Sequence, residues 1–287
     1  MMREPLFSMI IATINRPEAL LSCLNSIFNQ KYSKYEIIII DQSDDKKSEK
    51  VALSFNDKRI IYEHVNFRGL SRARNYGLKM AHGDYFCLID DDAFYDEFYL
   101  FEAVKHVAPK RILSGYIYDT INNSDFVKYK NRYDQRNVTL RMIMRQCPSA
   151  GLIIPMNLIQ EVGFFDENFG VGSRYGSGEE SDLLLRSIKV GYKVMYIKDS
   201  TLKHPVPIPS KTISAKLNEE KRALYFEGTG ALYKKHMCGL GMKKLILCYI
   251  EIILKFFVKA IITKGERRYY VKMQYESFLR GFKEYEI

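Results

Sequence analysis

Residues 66–93, NFRGLSRARNYGLKMAHGDYFCLIDDDA, join a helix to a short apolar strand that ends in three consecutive aspartates. The pattern predicts a helix from Leu70 to about Ala81 and a strand over Tyr85–Asp90. An almost unbroken apolar run is typical of a strand that is covered on both faces of a sheet. A helix next to such a strand indicates a βαβ unit, and therefore a mostly parallel central sheet flanked by helices.

The segments before this stretch show the same alternation of strand and helix. Strands are predicted at Phe7–Thr13, Tyr35–Asp41 and Arg59–Val65. After the first strand, Asn15 can cap a helix that has Pro17 in its first turn. Open sheets of this kind bind ligands beyond the carboxyl ends of their strands. The sequence therefore predicts an α/β fold whose functional side chains follow the strands.

The aspartates Asp90–Asp92 follow the fourth predicted strand directly. Three adjacent carboxylates repel one another, so they need a cation or many hydrogen-bond donors in compensation. Carboxylate oxygens suit Mg²⁺ or Mn²⁺, and Mg²⁺ commonly binds through one or two carboxylates plus phosphate oxygens. A solvated acidic turn is the alternative interpretation, but the position at a strand end favours a metal.

A second acidic turn follows the second strand. Asp41 closes that apolar run and lies at the same predicted sheet edge as Asp90, so a ligand contact is expected. A helix N-cap is the alternative interpretation, and it is the stronger one for the residues after it, Ser43–Asp45.

Arginines lie near the predicted start of the helix at residue 70. Arg68, Arg72 and Arg74 are suited to phosphate, as is a helix N-terminus. For Arg72, an exposed basic helix face is an equal alternative.

Two further candidates lie later in the chain. Glu179 and Glu180 open a predicted helix after Gly178, although Ser177 and Glu180 also fit a capping box. His204 follows a predicted strand and precedes a proline cluster; a lone histidine is more often structural.

Together and in this order, these features resemble the family 2 glycosyltransferases of the GT-A fold. The resemblance covers roughly residues 5–205 and is most specific over residues 66–93. It rests on five segments: IIATINRPEALLSCLNSIFNQ, YEIIIIDQSDD, NFRGLSRARNYGLKMAHGDYFCLIDDDA, GLIIPMNLIQEVGFFDENFG and GEESDLLLRSIKVGYKV.

The resemblance implies a nucleotide-sugar donor site at the strand ends. It assigns a divalent metal, Mn²⁺ or Mg²⁺, to Asp90 and Asp92, with His204 where some members place a metal ligand. It implies that Asp41 reads the nucleotide base. The donor-binding residues expected on this basis are Thr13, Asn15, Asp41, Arg72, Arg74, Asp90 and Asp91.

The same resemblance implies an inverting transfer with one catalytic base. The family's Gly-Glu-Asp element has Glu180 at its Asp position here, which leaves the base between Glu180 and its neighbour Glu179. The second strand ends in Asp-Gln-Ser instead of the commoner Asp-Asp-Gly-Ser, so recognition of the base is expected to differ in detail.

Composition limits the other possibilities. The 287 residues are 47% hydrophobic and 27% charged, which excludes a disordered or fibrous chain. Five cysteines without a CxxC pair argue against a structural zinc site or a disulfide scaffold. The N-terminal sequence lacks the features of a signal peptide, so a cytoplasmic location is expected.

The net charge of +10 is almost wholly C-terminal. Residues 201–287 carry 17 Lys or Arg against 8 Asp or Glu, whereas residues 1–200 carry 27 against 26. With a proline cluster over Lys203–Lys211 as a linker, the sequence predicts a catalytic domain over residues 1–210 and a basic helical extension over 211–287. In the catalytic domain, the N-terminal half is expected to bind the donor and the C-terminal half the acceptor.

The segment Lys243–Ile262, KKLILCYIEIILKFFVKAII, is long enough to span a bilayer. However, Glu251, Lys255 and Lys259 recur every four residues and form one polar stripe, so insertion is not favoured. A helix lying in the membrane interface is expected, with packing on the catalytic domain or on a second copy as alternatives.

The resemblance, together with the basic and apolar C-terminal segment, implies a hexosyltransferase acting on the cytoplasmic face of the inner membrane. The expected donor is a UDP-sugar, and the expected acceptor is a polyprenyl-diphosphate-linked saccharide of O-antigen, capsule or a similar polymer. A nucleic-acid partner is not expected, although a basic nucleic-acid-binding protein is one alternative. A nucleotidyltransferase on a similar sheet and a non-catalytic homologue are the others.

Overall fold

The computed structural model describes residues 3–121, 123–125, 136–146, 149–205, 214–237 and 243–286. These residues form ten strands: β1 Phe7–Thr13, β2 Tyr35–Asp41, β3 Ile60–His64, β4 Tyr85–Asp90, β5 Phe94–Tyr95, β6 Arg111–Asp119, β7 Ser124–Asp125, β8 Arg136–Asn137, β9 Leu152–Pro155 and β10 Lys193–His204. They also form ten helices: α1 Pro17–Phe28, α2 Lys47–Ser54, α3 Leu70–Met80, α4 Tyr99–Val104, α5 Leu140–Gln146, α6 Asn157–Val162, α7 Glu179–Lys189, α8 Ser214–His236, α9 Lys243–Ile262 and α10 Gly265–Glu284.

The first four strands form the parallel part of one sheet, in the order β3-β2-β1-β4. The observed bounds of β1, β2 and β4 are those predicted from the sequence. Their central residues are buried on both faces, which is why continuous apolar runs marked them. In register, Thr13 lies opposite Asp41 and Ala12 opposite Asp90, so the polar residues that end these strands share one edge.

The other half of the sheet makes it mixed. Strand β9 pairs antiparallel with both β4 and β6, and β10 then runs parallel to β6. The predicted α/β fold with helices on the sheet is confirmed, with its parallel pairing strongest in the N-terminal half. This arrangement brings the end of β10, at His204, to the same edge as the end of β4.

Helices α8, α9 and α10 pack on the rest of the protein. Leu232, Phe256 and Phe278, one from each helix, are buried in the same apolar cluster as Leu183 of α7. Helices α8 and α10 approach closely, since a Cβ at Gly281 would collide with the backbone of Glu227. The division of the chain at residue 210 stays a prediction. The proposed linker falls largely on residues 206–213, which lie outside the described part of the chain.

A buried ionic network fastens α7 to the end of α8. Asp182, fully buried on α7, accepts hydrogen bonds from His236 Nε2 at 2.8 Å and from Arg186 Nε at 2.9 Å, and it pairs with Lys235 Nζ at 2.8 Å. Burial alone would raise the pKa of Asp182, but its hydrogen bond with His236 and the charges of Arg186 and Lys235 hold it well below the ordinary value. The start of α7 is therefore held by the C-terminal helices.

Helix α9 has the bounds predicted for it. Leu245 and Phe256 are buried against the protein, while other apolar residues of the helix remain exposed. In the described residues, no helix is both long and apolar enough to cross a membrane. Helix α9 thus packs on the protein with one side and exposes apolar residues on the other.

Candidate active site

A cleft of about 800 Å³ opens where β1 and β4 end. Thr13 and the aspartates Asp90–Asp92 line it from these strands, and Glu179–Glu180 line it from the start of α7. His204 enters from the end of β10, and Tyr225 from α8. Side chains predicted from separate parts of the sequence therefore meet in one place.

Asp91 is the buried member of the three aspartates. It accepts a hydrogen bond from Thr13 Oγ1 at 2.7 Å and one from Arg16 Nη1 at 3.0 Å. Burial raises the pKa of Asp91, and the donation from Thr13 and Arg16 opposes that rise. Asp91 thus anchors the turn that follows β4 while still lining the cleft.

Asp90 and Asp92 are only partly buried and share a partner in His204. Its Nε2 lies 3.2 Å from Asp92 Oδ1 and 3.6 Å from Asp90 Oδ2. Burial lowers the pKa of His204, but its hydrogen bonds to the two carboxylates outweigh this and raise the pKa to about 10. The two carboxylates therefore attract a positive charge to this point of the cleft.

The donor set fits a divalent cation that arrives with a diphosphate. Two carboxylates and one imidazole are ligands suited to Mn²⁺ or Mg²⁺. No group of three His, Cys, Asp or Glu side chains in the described segments encloses a metal by itself. Asp90 and Asp92 would therefore supply two ligands, with His204 beside them, and phosphate oxygens would complete the coordination shell.

Arg74 links the aspartates to the glutamates. Its side chain is 1% exposed, with Nη2 at 3.2 Å from Asp90 Oδ1 and Nη1 at 3.1 Å from Glu179 Oε1. A buried guanidinium needs such charged partners. Arg74 therefore fixes the distance between the candidate metal ligands and the start of α7 from behind the cleft surface.

Glu180 differs from Glu179 in its surroundings. Its Oε2 is buried and accepts no hydrogen bond within the described residues. Burial raises the pKa of Glu180 well above its ordinary value, and the neighbouring Glu179 carboxylate raises it further, while Arg74 opposes both. A helix N-terminus favours the ionised form of a carboxylate, but burial and the charge of Glu179 outweigh that preference at Glu180. A partly buried carboxylate with an unused oxygen in a cleft is suited to accept a proton.

Gly170 allows the close approach that positions Glu179. Its φ is 103°, and a Cβ there would lie 2.9 Å from Ser71 Oγ and 3.3 Å from the Glu179 carboxyl group. Ser71 in turn donates to the carbonyl of Phe169 at 2.6 Å. The absence of a side chain at Gly170 thus lets α3 and the start of α7 come together.

Comparison with known proteins fits this geometry. The sequence profile described as Glycosyl transferase family 2 matches residues 8–169. The chain belongs to this family. Among the relatives of this family 2 glycosyltransferase, an uncharacterised glycosyltransferase of Rickettsia typhi is 27% identical over 246 residues, which cover 82% of this chain and 74% of that protein.

A second relative matches a shorter segment of this glycosyltransferase. The putative colanic acid biosynthesis glycosyl transferase WcaA of Escherichia coli is 33% identical over 95 residues, 32% of this chain and 34% of that protein.

Solved structures confirm the GT-A fold of this family 2 glycosyltransferase. Residues 1–349 of S. aureus TarS, crystallised with UDP-GlcNAc, align with a TM-score of 0.69 at 16% identity, covering 96% of this chain and 81% of that one. The mannosyltransferase PcManGT of Pyrobaculum calidifontis, solved with GDP-Man and Mn²⁺, aligns with a TM-score of 0.66 at 16% identity, covering 98% and 86%.

Four of the predicted donor-binding residues do not line the cleft of this glycosyltransferase: Arg74, which lies behind its surface, and Asp41, Asn15 and Arg72. Asp41 is fully buried and accepts hydrogen bonds from Tyr62 Oη at 2.7 Å and from the Ser43 amide at 2.8 Å. Asn15 bonds to Asp44 and does not cap α1, which begins at Pro17 without a side-chain cap. Arg72 is exposed, with its guanidinium 4.2 Å from the centre of the Phe67 ring.

Other residues of the glycosyltransferase line the cleft where sequence reasoning placed none. Gln42, directly after Asp41, is 4% exposed, and its buried Oε1 accepts no hydrogen bond from the described residues. Arg16, which the sequence did not indicate, pairs with Asp91 and Asp92. Arg68, one of the three arginines named from the sequence as suited to phosphate, lies at the cleft with Gln42 and Asp44 as partners. The sequence did contain one indication of Gln42, because Asp-Gln-Ser stands here in place of the commoner Asp-Asp-Gly-Ser.

The predicted capping box at the start of α7 is not formed. The N-cap residue is Gly178, and Ser177 Oγ donates to the carbonyl of Tyr225 at 3.0 Å. The side chain of Glu180 is therefore free of a capping role. Tyr225 and Thr229 of α8 line the cleft beside this turn, which no local sequence pattern indicated.

Proposed function

We propose that this glycosyltransferase moves a hexose or N-acetylhexosamine from a UDP-sugar to a hydroxyl group of a polyprenyl-diphosphate-linked bacterial saccharide. The observation that carries the proposal is the cleft itself, in which Asp90, Asp92 and Glu180 face the same volume. Two carboxylates can hold a cation for the leaving diphosphate, and the third can deprotonate the acceptor.

On the donor side, the chain supplies charge and orientation. Asp90 and Asp92 would hold Mn²⁺ or Mg²⁺, which when bound stabilises the leaving diphosphate as a Lewis acid. Arg16 adds a positive charge at the same place, since it lies 3.1 Å from Asp92. Gln42 offers a carboxamide to the edge of the nucleobase, because its buried oxygen lacks a donor among the described residues.

On the acceptor side, Glu180 takes the proton of the attacking hydroxyl group. The oxygen of that hydroxyl attacks the anomeric carbon as the bond to the nucleotide diphosphate breaks. With one general base, the transfer is a single displacement with inversion. Arg74 and Glu179 hold the start of α7, so the base and the donor stay in line.

The choice of substrates is supported by likeness to other proteins. A UDP-sugar complex of TarS and a GDP-Man complex of PcManGT make UDP the first and GDP the second donor nucleotide to test. The resemblance to WcaA, named for colanic acid biosynthesis, supports an acceptor in surface-polysaccharide assembly such as O-antigen or capsule. Such acceptors are carried on polyprenyl diphosphate, so we place the enzyme peripherally on the cytoplasmic face of the inner membrane.

The test is a donor screen with the full-length protein. UDP-glucose, UDP-galactose, UDP-GlcNAc and GDP-mannose are each incubated with Mn²⁺, Mg²⁺ or excess EDTA, and the release of nucleoside diphosphate is measured. We expect release from a UDP-sugar that EDTA abolishes and Mn²⁺ restores. Full release in excess EDTA would exclude the metal role.

Variants separate the roles of the carboxylates in the same assay. Asp92→Ala, and less completely Asp90→Ala, should abolish transfer with the fold intact. Glu180→Gln should still bind UDP with Mn²⁺ but lose transfer. An inactive Glu179→Gln beside an active Glu180→Gln would reassign the base to Glu179.

A further inference from the structure

The outward face of α9 carries an apolar surface that nothing in the described structure covers. Its side chains are all 40–73% exposed and lie on one helix: Ile246, Leu247, Ile250, Leu254, Phe257, Val258, Ile261 and Ile262. Single exposed apolar residues are ordinary, but a contiguous patch of this length marks an interaction site. We refer to these eight residues as the α9 apolar face.

The opposite side of α9 is already used for folding. Leu245 and Phe256 are buried in the core, and Tyr249 and Ile252 pack against it. Glu251, between the two sides, pairs with Arg141 of α5 at 2.8 Å. The helix is thus fixed in its rotation, and turning the α9 apolar face inward would break these contacts.

Positive charge surrounds this face. Lys255 and Lys259 lie on α9, Lys264 follows it, and Arg267–Arg268 open α10, all exposed. Glu251 and Glu266 are the only acidic residues in the sequence from 243 to 268. An apolar face bordered by Lys and Arg complements an anionic lipid surface, whereas a second copy of the chain would bring like charges together.

We propose that the α9 apolar face lies in the interface of an anionic phospholipid bilayer, with the helix parallel to the membrane plane. No helix in the described residues can span a bilayer, so the exposed apolar surface is buried at the level of the headgroups. Lysine and arginine side chains at its border would contact the phosphate groups.

The position of α9 relates this attachment to the cleft. It packs on α5 and α8, and these helices line the cleft through Met144 and Tyr225. Attachment would hold the cleft near the membrane surface, where a lipid-linked acceptor is confined. This use of the attachment rests on the proposed function; the attachment itself does not.

The chain contains no tryptophan, which allows a fluorescence test. Phe257→Trp reports from the α9 apolar face, and Leu53→Trp is the matched control, because Leu53 is 63% exposed on α2 and Phe257 is 65% exposed. With vesicles of phosphatidylcholine and phosphatidylglycerol, we expect a blue shift for Phe257→Trp alone, and a weaker one with phosphatidylcholine only. No shift with anionic vesicles would overturn the proposal.

Co-sedimentation with the same vesicles tests how much the α9 apolar face contributes to membrane binding. The double variant Leu254→Glu and Phe257→Glu should reduce the bound fraction at least tenfold, whereas Leu53→Glu should bind like wild type. All of these substitutions are at exposed positions, so melting temperature and donor hydrolysis without lipid should be unchanged. If the double variant loses vesicle binding but keeps its hydrolysis, membrane attachment is tested independently of the function proposed above.

A second copy of the chain is the competing occupant. Sedimentation velocity without lipid should show a monomer for wild type. A dimer that the Leu254→Glu and Phe257→Glu double variant dissociates, together with a blue shift in the absence of vesicles, would assign the α9 apolar face to self-association and overturn the membrane proposal.

Discussion

Arg74 donates to Glu179 across 3.1 Å, and both side chains are buried. The same guanidinium reaches Asp90 at 3.2 Å. One residue of α3 thus pairs with a carboxylate on each side of the cleft, although Arg74 itself does not line the cleft. This one side chain therefore links the end of β4 to the start of α7.

Replacing Arg74 should therefore damage both stability and turnover. Arg74→Met leaves Glu179 buried without its cation, and loss of one partner of a buried pair costs about 3–5 kcal/mol. We expect a lower free energy of unfolding and a lower kcat. Arg72→Met, two residues earlier on the exposed face, is the matched control and should change stability by less than about 1 kcal/mol. Equal effects of the two variants would contradict the role given to Arg74.

Glu180→Gln should lower activity while raising stability. The loss of a general base reduces turnover by about 10²–10⁴-fold. Burial raises the pKa of Glu180 above its value in the unfolded chain, so the ionised group destabilises the fold as pH rises through and above the unfolded value. Thermal unfolding should show no gain for the variant near pH 4 and a growing gain toward pH 8. A variant less stable than wild type at pH 8 would exclude this account.

Glu179→Gln should move the acidic limb of the pH–rate profile. The charge of Glu179 helps to raise the pKa of Glu180, so its removal lowers that pKa. The base is then ionised at lower pH, and the limb of kcat shifts to lower pH. Glu102→Gln removes a carboxylate on the far helix α4 and should leave the limb in place. An unmoved limb in Glu179→Gln would mean that Glu180 is not the titrating base.

Gln42→Leu should weaken donor binding more than turnover. A lost hydrogen bond of about 0.5–1.5 kcal/mol raises KM for the nucleotide sugar roughly 2- to 10-fold, with kcat nearly unchanged. Asp41→Asn should instead lower stability, because that carboxylate is buried and bonded to Tyr62 and Ser43. Calorimetry of UDP binding and thermal unfolding distinguish the two. Weaker UDP binding in Asp41→Asn, with Gln42→Leu unaffected, would return base recognition to Asp41.

The parallel strands could be predicted from the sequence because they are buried on both faces. Continuous apolar runs bounded by polar residues gave β1, β2 and β4 their observed limits. Antiparallel pairing of β9 with β4 and β6 has no local signature, since it depends on where distant segments pack. The mixed half of the sheet therefore could not be predicted from the sequence patterns.

The site residues that could be predicted from the sequence are those that lie next to one another as charged clusters. Asp90–Asp92 and Glu179–Glu180 stand out as adjacent charges at element ends, and the structure brings them to one cleft. Whether a side chain at a strand end faces inward is not a property of its type: Asp41 is buried, and Gln42 beside it lines the cleft. The pairing of Arg16 with Asp91 and Asp92 could not be predicted for the same reason, since its position just before α1 does not show which way its side chain points.

The cleft wall at Tyr225 and Thr229 comes from α8, beyond the segment at residues 8–169 that the family profile matches. This wall can therefore change by substitutions that leave Thr13 and Asp90–Asp92, at the strand ends, untouched. Under the function proposed above, such substitutions would alter the cleft beside Glu180 while the residues proposed to hold the donor stay as they are. On that proposal, the enzyme could take a new acceptor and keep its donor.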